Sequence, residues 1–285
     1  MVPVGTILAC AVVFLISTVL PLGVLALFGL KYRNRGILVA WLIGAAGFFV
    51  TQILIRIPIL TVLQTQDWFL NFSGNAPFLY AFSLAFTAGL FELAGRYGVA
   101  RILERKLDFH RSLAVGMGHG GIEAIVLIGS SYISNFAFII MINTGTYDML
   151  LEEARAAGLS AAQLELTIRQ LELIKEQLLT YSPGIFLLAG LERILAMICH
   201  VGMSMLVCYG VAHKKVVPCL LACLAIHTGI DLSAGISMLI GTRLTQRTAY
   251  LIIYLLLALL AAASLILVRV LYRRWRSTLP KEVTL

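Results

Sequence analysis

The chain has 285 residues, of which 60% are hydrophobic and only 13% are charged. A soluble domain has about 45–50% apolar and about 25% charged residues, so this composition excludes an ordinary water-soluble fold. The formal net charge is +8. The basic residues stand in short segments between long apolar runs, which suits an anionic membrane surface as the partner and indicates no nucleic acid.

Long apolar runs recur along the chain, and each has the roughly 20 residues that a helix needs to cross the hydrocarbon core. The predicted spans lie near 4–30, 37–63, 77–100, 112–142, 184–211, 216–240 and 248–270. The five cysteines all lie in or beside apolar runs, which predicts no disulfide framework. We therefore expect an all-α fold, a polytopic transmembrane helical bundle of about seven spans, as a single domain over 1–285.

Basic residues of the connections predict the orientation, because cytoplasmic loops carry an excess of lysine and arginine. Alternate connections hold fourteen basic residues on one side of the membrane and five on the other. The larger group is Lys31, Arg33, Arg35, Arg101, Arg105, Lys106, Arg111, Lys214, Lys215, Arg269, Arg273, Arg274, Arg276 and Lys281. The smaller group is Arg155, Arg169, Lys175, Arg243 and Arg247. The N-terminus is expected outside and the C-terminus in the cytoplasm.

The long connection near 143–183 carries two amphipathic helical patterns. In the second, Ser160 and Gln163 have the spacing of a capping box. This predicts an amphipathic helical hairpin on the outer side. Two roles are open for it: packing on the membrane or the bundle, or acting as a lid that guides a substrate.

Ionisable residues stand inside five of the predicted spans, and in four of these they lie deep in the span. Each costs on the order of 2.5–3.5 kcal/mol on membrane insertion, so each requires a partner or a function. Arg56 lies close enough to the outer end of its helix to extend toward the membrane surface. The others are Glu92, Arg96, His119, Glu123, Glu192, Arg193, His200, His227 and Asp231.

Spacing and depth group these residues. Positions four or seven apart share a helix face, and such pairs are Glu92/Arg96, His119/Glu123, Arg193/His200 and His227/Asp231. Counted at 1.5 Å per residue from the nearest cytoplasmic basic residue, four of them lie roughly 13–21 Å deep: Glu92, Glu123, His200 and His227. The glycines of the stretch 116–121 would let helices approach closely. The pattern predicts one convergent site in the cytoplasmic half of the bilayer.

Histidine and carboxylate side chains are the ligands that zinc prefers, and a catalytic zinc keeps a water as its fourth ligand. A nearby carboxylate then acts as general base. The sequence has no HExxH motif, and its nearest element is His119-Gly-Gly-Ile-Glu123. Taken singly, each residue also fits a packing role, as a helix–helix hydrogen bond or a neutralised pair.

At these residues the chain resembles the YhfC family of intramembrane metalloproteases, which is related to the PrsW-type and CAAX-processing membrane proteases. The resemblance covers nearly the whole chain. Its motifs read Phe91-Glu92-Leu-Ala-Gly-Arg96, Gly118-His119-Gly-Gly-Ile-Glu123, Glu192-Arg193 with His200 and Ser204, and His227-Thr-Gly-Ile-Asp231. Many relatives have a double Glu in the first motif. Here Phe91 takes the first of those positions and leaves Glu92 as the candidate carboxylate.

The resemblance implies a zinc-dependent endopeptidase of the bacterial plasma membrane that cleaves a membrane protein or peptide. We expect His200 and His227, with His119 or Glu123, to bind the metal. Glu92 or Glu123 activates the water. Arg96 and Arg193 orient carboxylates, and Asp231 supports a ligand or the oxyanion. The alternatives are a proton-coupled transporter, or a protease-fold immunity or binding factor without turnover.

A last expectation concerns the two late histidines. His200 stands fourteen residues before Lys214 and His227 thirteen after it, across a short turn. In an antiparallel pair of helices, two residues at nearly equal distances from the connecting turn lie at the same depth. The sequence therefore predicts that these imidazoles face each other at one depth.

Overall fold

The computed structural model describes residues 1–240 and 246–277. Within these residues the regular structure is helical throughout. The α-helices, α1 to α12 in chain order, are Val4–Lys31, Ile37–Phe48, Ile57–Leu63, Asp67–Asn75, Pro77–Ile102, Phe109–Glu123, Ser130–Thr144, Tyr147–Ala156, Ala161–Thr180, Pro183–Ala212, Val216–Ile240 and Gln246–Ser277. Arg243 and Lys281, two of the basic residues used to predict the orientation, lie outside the described residues.

In the described part of the chain, seven helical stretches are long and apolar enough to cross a membrane. They are Val4–Lys31, Ile37–Leu63, Pro77–Ile102, Phe109–Thr144, Pro183–Ala212, Val216–Ser233 and Tyr250–Trp275. The predicted polytopic helical bundle is therefore confirmed.

Two of these spans are interrupted by wider helical turns. A π-helical stretch, Phe49–Arg56, joins α2 to α3, and another, Ala124–Gly129, joins α6 to α7. Such turns are rare and are found frequently at functional sites, because they shift the direction in which the following side chains point. Both stretches begin or end beside ionisable residues that the sequence singles out.

The chain divides into two compact units, Met1–Leu20 with Ala124–Arg193, and Pro21–Glu123 with Ile194–Leu285. The first unit contains α7, α8 and α9, with α1 as far as Leu20 and α10 as far as Arg193. Its apolar core includes Cys10, Val13, Tyr132, Ile139 and Leu178. The single domain expected over 1–285 stays a prediction.

The connection near 143–183 forms α8 and α9 within the first unit. The predicted capping box is present: Gln163 N–H donates to Ser160 Oγ at 3.4 Å, and Ser160 N–H donates to Gln163 Oε1 at 3.1 Å. Tyr147 joins the two helices, since its hydroxyl donates to the Leu171 carbonyl at 2.7 Å. The segment is therefore a helical hairpin with its own contacts.

The second unit is built on two close helix pairs, α2 with α6 and α5 with α11. The glycine-rich second half of α6 explains the first pair: a Cβ at Gly118 would lie 2.0 Å from the Trp41 carbonyl oxygen. A Cβ at Gly116 would lie 2.7 Å from Val201 Cα of α10. Only glycine permits this approach, so α6 is held between α2 and α10.

Candidate metal and catalytic centre

Four helices of the second unit bring the predicted residues together, with α5, α6, α10 and α11 each contributing a pair four residues apart. All of these side chains except Asp231 are buried. We call them the His–carboxylate cluster: Glu92, Arg96, His119, Glu123, His200, Ser204, His227 and Asp231.

One carboxylate oxygen stands at the centre of this cluster. Glu92 Oε2 lies 3.0 Å from His119 Nε2 and 2.8 Å from His227 Nε2. The same oxygen accepts a hydrogen bond from Arg96 Nη2 at 3.0 Å and lies 3.6 Å from His200 Nδ1. Three imidazoles and one guanidinium therefore converge on a single atom.

His200 has an environment that differs from that of the other two histidines. Arg96 Nη2 lies 2.6 Å from His200 Nδ1. A guanidinium only donates hydrogen bonds, so Nδ1 is the acceptor and the neutral ring carries its proton on Nε2. That Nε2 lies 2.9 Å from Glu123 Oε2. Arg96 also donates from Nε to Ser204 Oγ at 3.3 Å, so one arginine sets the position and the tautomer of His200.

The predicted approach of the two late histidines is confirmed. The ring centroids of His200 and His227 are 5.7 Å apart, and those of His119 and His200 are 5.5 Å apart. Phe48 packs edge-on against His119 with 5.3 Å between centroids. The three imidazoles therefore form one contiguous group with an aromatic wall.

Asp231 stands at the edge of the cluster. Its Oδ2 lies 3.5 Å from His227 Nδ1, on the side of the ring that faces away from Glu92, and its side chain is 36% exposed. Arg193, which was expected to orient a carboxylate of the site, belongs to the first compact unit. There its guanidinium donates to the adjacent Glu192.

Gln52 is a site residue that the sequence reasoning missed. It lies in the π-helical stretch Phe49–Arg56 and is buried. Its Nε2 donates to Glu92 Oε1 at 3.1 Å and to the Ala88 carbonyl at 3.2 Å. The available signal was an amide inside an apolar span. A search for charged groups passes over it, since an amide carries no charge.

Arg56 is directed toward α5. Its guanidinium donates to the Leu84 carbonyl at 2.8 Å, to Thr87 Oγ1 at 3.4 Å and to Gln52 Oε1 at 3.3 Å. The guanidinium is thus hydrogen-bonded both to α5 and to its own helix. Arg56 thus supports Gln52, which in turn holds Glu92.

A cavity of about 470 Å³ borders the cluster. Its wall includes Leu84, Ala85 and Ala88 of α5, and Arg56 and Asp231 stand at its polar edge. Positions 85, 88 and 92 lie on one face of a helix, so this wall continues along α5 to Glu92.

The donor atoms fit a divalent metal ion. One atom from each of Glu92, His119, Glu123 and His200 lies within 4.8 Å of the other three. Tetrahedral zinc with bonds of about 2.0–2.1 Å requires ligand atoms roughly 3.3 Å apart. The contacts of 3.0 Å at His119 and 2.8 Å at His227 with Glu92 Oε2 are close to that separation.

A polytopic helical membrane protein with a buried cluster of histidines and carboxylates is the class that this fold and site define. The chain belongs to the YhfC intramembrane metalloprotease family, whose profile matches residues 16–255. It is also similar to the "Uncharacterized membrane protein YhfC" of Bacillus subtilis (strain 168). The two are 34% identical over 213 residues, which cover 72% of this chain and 77% of the relative. No solved structure matches the chain. The resemblance is confirmed, and the chain is an integral bacterial membrane protein.

Proposed function

We propose that the chain is a metal-dependent endopeptidase that hydrolyses a peptide bond of a membrane protein or peptide in or beside the bilayer. The convergence of three buried imidazoles on one oxygen of Glu92, with Glu123 adjacent, carries this proposal. A role in helix packing alone requires only one polar pair. It does not explain why three imidazole rings share one acceptor. A hydrolytic centre requires such a set of bases and ligands in a site shielded from lipid.

His119, His227 and Glu92 are the residues we assign to hold the metal, which we take to be zinc from the nitrogen and oxygen donors. When bound, such an ion polarises the scissile carbonyl and lowers the pKa of a coordinated water to about 7. Asp231 lies at the far nitrogen of His227. It would orient that ring, as carboxylates commonly do behind metal-binding histidines.

Glu123 and His200 are assigned to proton handling. Because Arg96 occupies His200 Nδ1, the Nε2–H of the neutral ring is directed toward Glu123 at 2.9 Å. Glu123 would take the proton of the attacking water, and the pair would deliver a proton to the leaving amine. A metal-binding role for His200, which the sequence also suggested, requires Arg96 to release that nitrogen.

The cavity beside the cluster is the proposed place for the substrate. Its apolar α5 wall, with Ala85 and Ala88, suits an apolar membrane segment and leads to Glu92. Arg56 and Asp231 at the polar edge would bind the exposed peptide groups of the chain being cut. Such a segment has to leave its helical conformation there, because a helix hides its own peptide bonds.

Metal analysis of the purified protein tests the assignment. We expect about one zinc per chain in the wild type, its loss in His119→Ala and His227→Ala, and its retention in His200→Ala. His213→Ala is the matched control, because that histidine lies in the α10–α11 turn and bonds the Tyr209 carbonyl. Loss of zinc from His200→Ala would instead make that ring a ligand.

Turnover of a reconstituted membrane-peptide library separates the function classes. Cleavage that zinc chelation abolishes supports the proposal, and cleavage by metal-free protein would mean that a Glu/His pair activates water unaided. Proton-coupled uptake in liposomes without cleavage would favour a transporter. Full biological function of Glu123→Gln would favour an immunity or binding factor.

We also propose the orientation with the N-terminus outside and the C-terminus in the cytoplasm. The support is the partition of basic residues, fourteen against five. Impermeant amine labelling of oriented vesicles should modify Lys31 and Lys214 from the cytoplasmic side. Protease cleavage of the 143–183 segment from that same side would overturn the topology.

A further inference from the structure

A second polar feature lies at the ends of three spans. A cavity of about 520 Å³ is lined by the start of α2, the end of α5 and the start of α6. Arg101, at its edge, is nine residues beyond Glu92 on α5, which corresponds to roughly 13 Å along the helix. The cavity is therefore separate from the His–carboxylate cluster.

Four basic side chains line this cavity: Arg101, Arg105, Lys106 and Arg111. Two of them are paired, since Arg101 Nη1 lies 2.8 Å from Glu104 Oε2, and Arg111 Nη1 lies 2.9 Å from Asp108 Oδ2. Within residues 1–240 and 246–277, the side chains of Arg105 and Lys106 form no hydrogen bond or ion pair. Two uncompensated positive charges thus stand at one rim.

Backbone contacts hold this rim in place. The short 3₁₀ turn Glu104–Lys106 follows α5, and Lys106 N–H donates to the Leu103 carbonyl at 2.7 Å. Arg111 of α6 donates from Nη1 to the Lys106 carbonyl at 2.9 Å. The turn is fixed from both flanking helices, so the basic side chains start from anchored backbone positions.

Part of the cavity lining is apolar. Val39 and Ile43 of α2 and Ile102 of α5 line the cavity, and Ile102 is 74% exposed. All three belong to predicted membrane spans. A ligand that matches both the basic and the apolar residues has an anionic head and a hydrocarbon tail. A free phosphate ion would leave the apolar residues uncovered.

We propose that this cavity binds an anionic phospholipid, with the phosphate group at Arg105 and Lys106 and an acyl chain along Val39 and Ile102. Charged hydrogen bonds from lysine and arginine to phosphate oxygens are stronger than neutral ones. Basic pockets between spans on the cytoplasmic side commonly take such head groups. The lipid would brace the junction between α5 and α6, the two helices that carry Glu92 and His119.

Native mass spectrometry tests this with the purified full chain, using phosphatidylglycerol and phosphatidylcholine of identical acyl chains as probes. We expect the wild type to retain phosphatidylglycerol on the order of tenfold better. The double variant Arg105→Gln/Lys106→Gln should lose that preference. Lys214→Gln/Lys215→Gln removes two positive charges from another turn and should keep it.

Three outcomes would overturn the proposal. One is an unchanged preference in Arg105→Gln/Lys106→Gln, and another is an equal loss in the Lys214/Lys215 control, which would mean a general charge effect. The third is displacement of the lipid by millimolar inorganic phosphate, which would mean a free-anion site.

Ile102→Ser tests the acyl-chain contact separately, because it keeps the charges and should weaken phosphatidylglycerol binding. An unaltered affinity in this variant would overturn the proposed acyl-chain contact. Thermal unfolding of each variant shows whether it is folded.

Discussion

Two ion pairs of equal length stand in opposite environments in this molecule. Lys175 Nζ and Asp148 Oδ1 of the α8–α9 hairpin are 3.0 Å apart, and their side chains are 35% and 77% exposed. Arg96 Nη2 and Glu92 Oε2 of the cluster are also 3.0 Å apart, but their side chains are 1% and 6% exposed. Distance alone therefore does not decide what a pair contributes.

Burial decides how much each pair contributes, because water screens the exposed pair and is excluded from the buried one. An exposed pair contributes about 0–1 kcal/mol, since water competes for both partners. A buried pair with one partner removed costs about 3–5 kcal/mol, because the remaining charge is left uncompensated. The cluster avoids this cost by sharing one acceptor among Arg96, His119 and His227.

The largest effect is expected from Glu92→Ala. The change leaves Arg96 and the imidazoles without their shared acceptor, so zinc binding and turnover should be lost. The free energy of unfolding should fall by about 3–5 kcal/mol. Metal analysis, and unfolding in detergent followed by circular dichroism, measure the two effects. An unfolding free energy equal to that of the wild type would mean that Arg96 can stay buried without Glu92 at no cost in stability.

A chemical effect without a structural one is expected from Glu123→Gln. The amide keeps the shape of the side chain but loses its charge and basicity, so expression and zinc content should stay near normal. Turnover should fall by about 10²–10⁴-fold, the usual contribution of a general base. Unchanged cleavage of a reconstituted substrate would restrict Glu123 to packing.

A smaller effect is expected from Gln52→Leu, which removes the amide that holds Glu92 Oε1. The dissociation constant for zinc should rise about 10–100-fold, as for other residues that orient metal ligands. Competition with a fluorescent chelator measures it. Gln64→Leu, at an exposed position near the end of the same span, is the control and should bind zinc as the wild type does. Equal affinities in the two variants would show that Gln52 does not position the carboxylate.

The smallest effect is expected in the hairpin. Asp148→Asn should change the free energy of unfolding by less than about 1 kcal/mol, because the pair with Lys175 is exposed. A double-mutant cycle with Lys175→Gln isolates the pair, and raising the salt concentration should reduce its coupling energy further. A coupling energy comparable with the loss in Glu92→Ala would remove the contrast between the two environments.

Much of the site could be predicted because membrane burial makes charged residues conspicuous. Glu92, Glu123, His200 and His227 each stand inside an apolar run, and their similar depth follows from arithmetic on the helix rise. Gln52 was not predicted, because an amide inside a span carries no charge and is not singled out as an ionisable residue. Its orientation depends on a π-helical stretch, which has no recognisable pattern in the residues around it.

The sequence by itself determined the membrane class, the spans and the helix faces that carry charge, because hydrophobicity and helical period act locally along the chain. Only the tertiary structure decided which atoms meet. Arg96 rather than Glu123 occupies His200 Nδ1, Arg56 bonds the Leu84 carbonyl of α5, and Gln52 bonds Glu92 Oε1. Partner choice among buried polar groups depends on how closely particular helices approach. That distance is set by contacts such as Gly118 against Trp41, which join residues far apart in the chain.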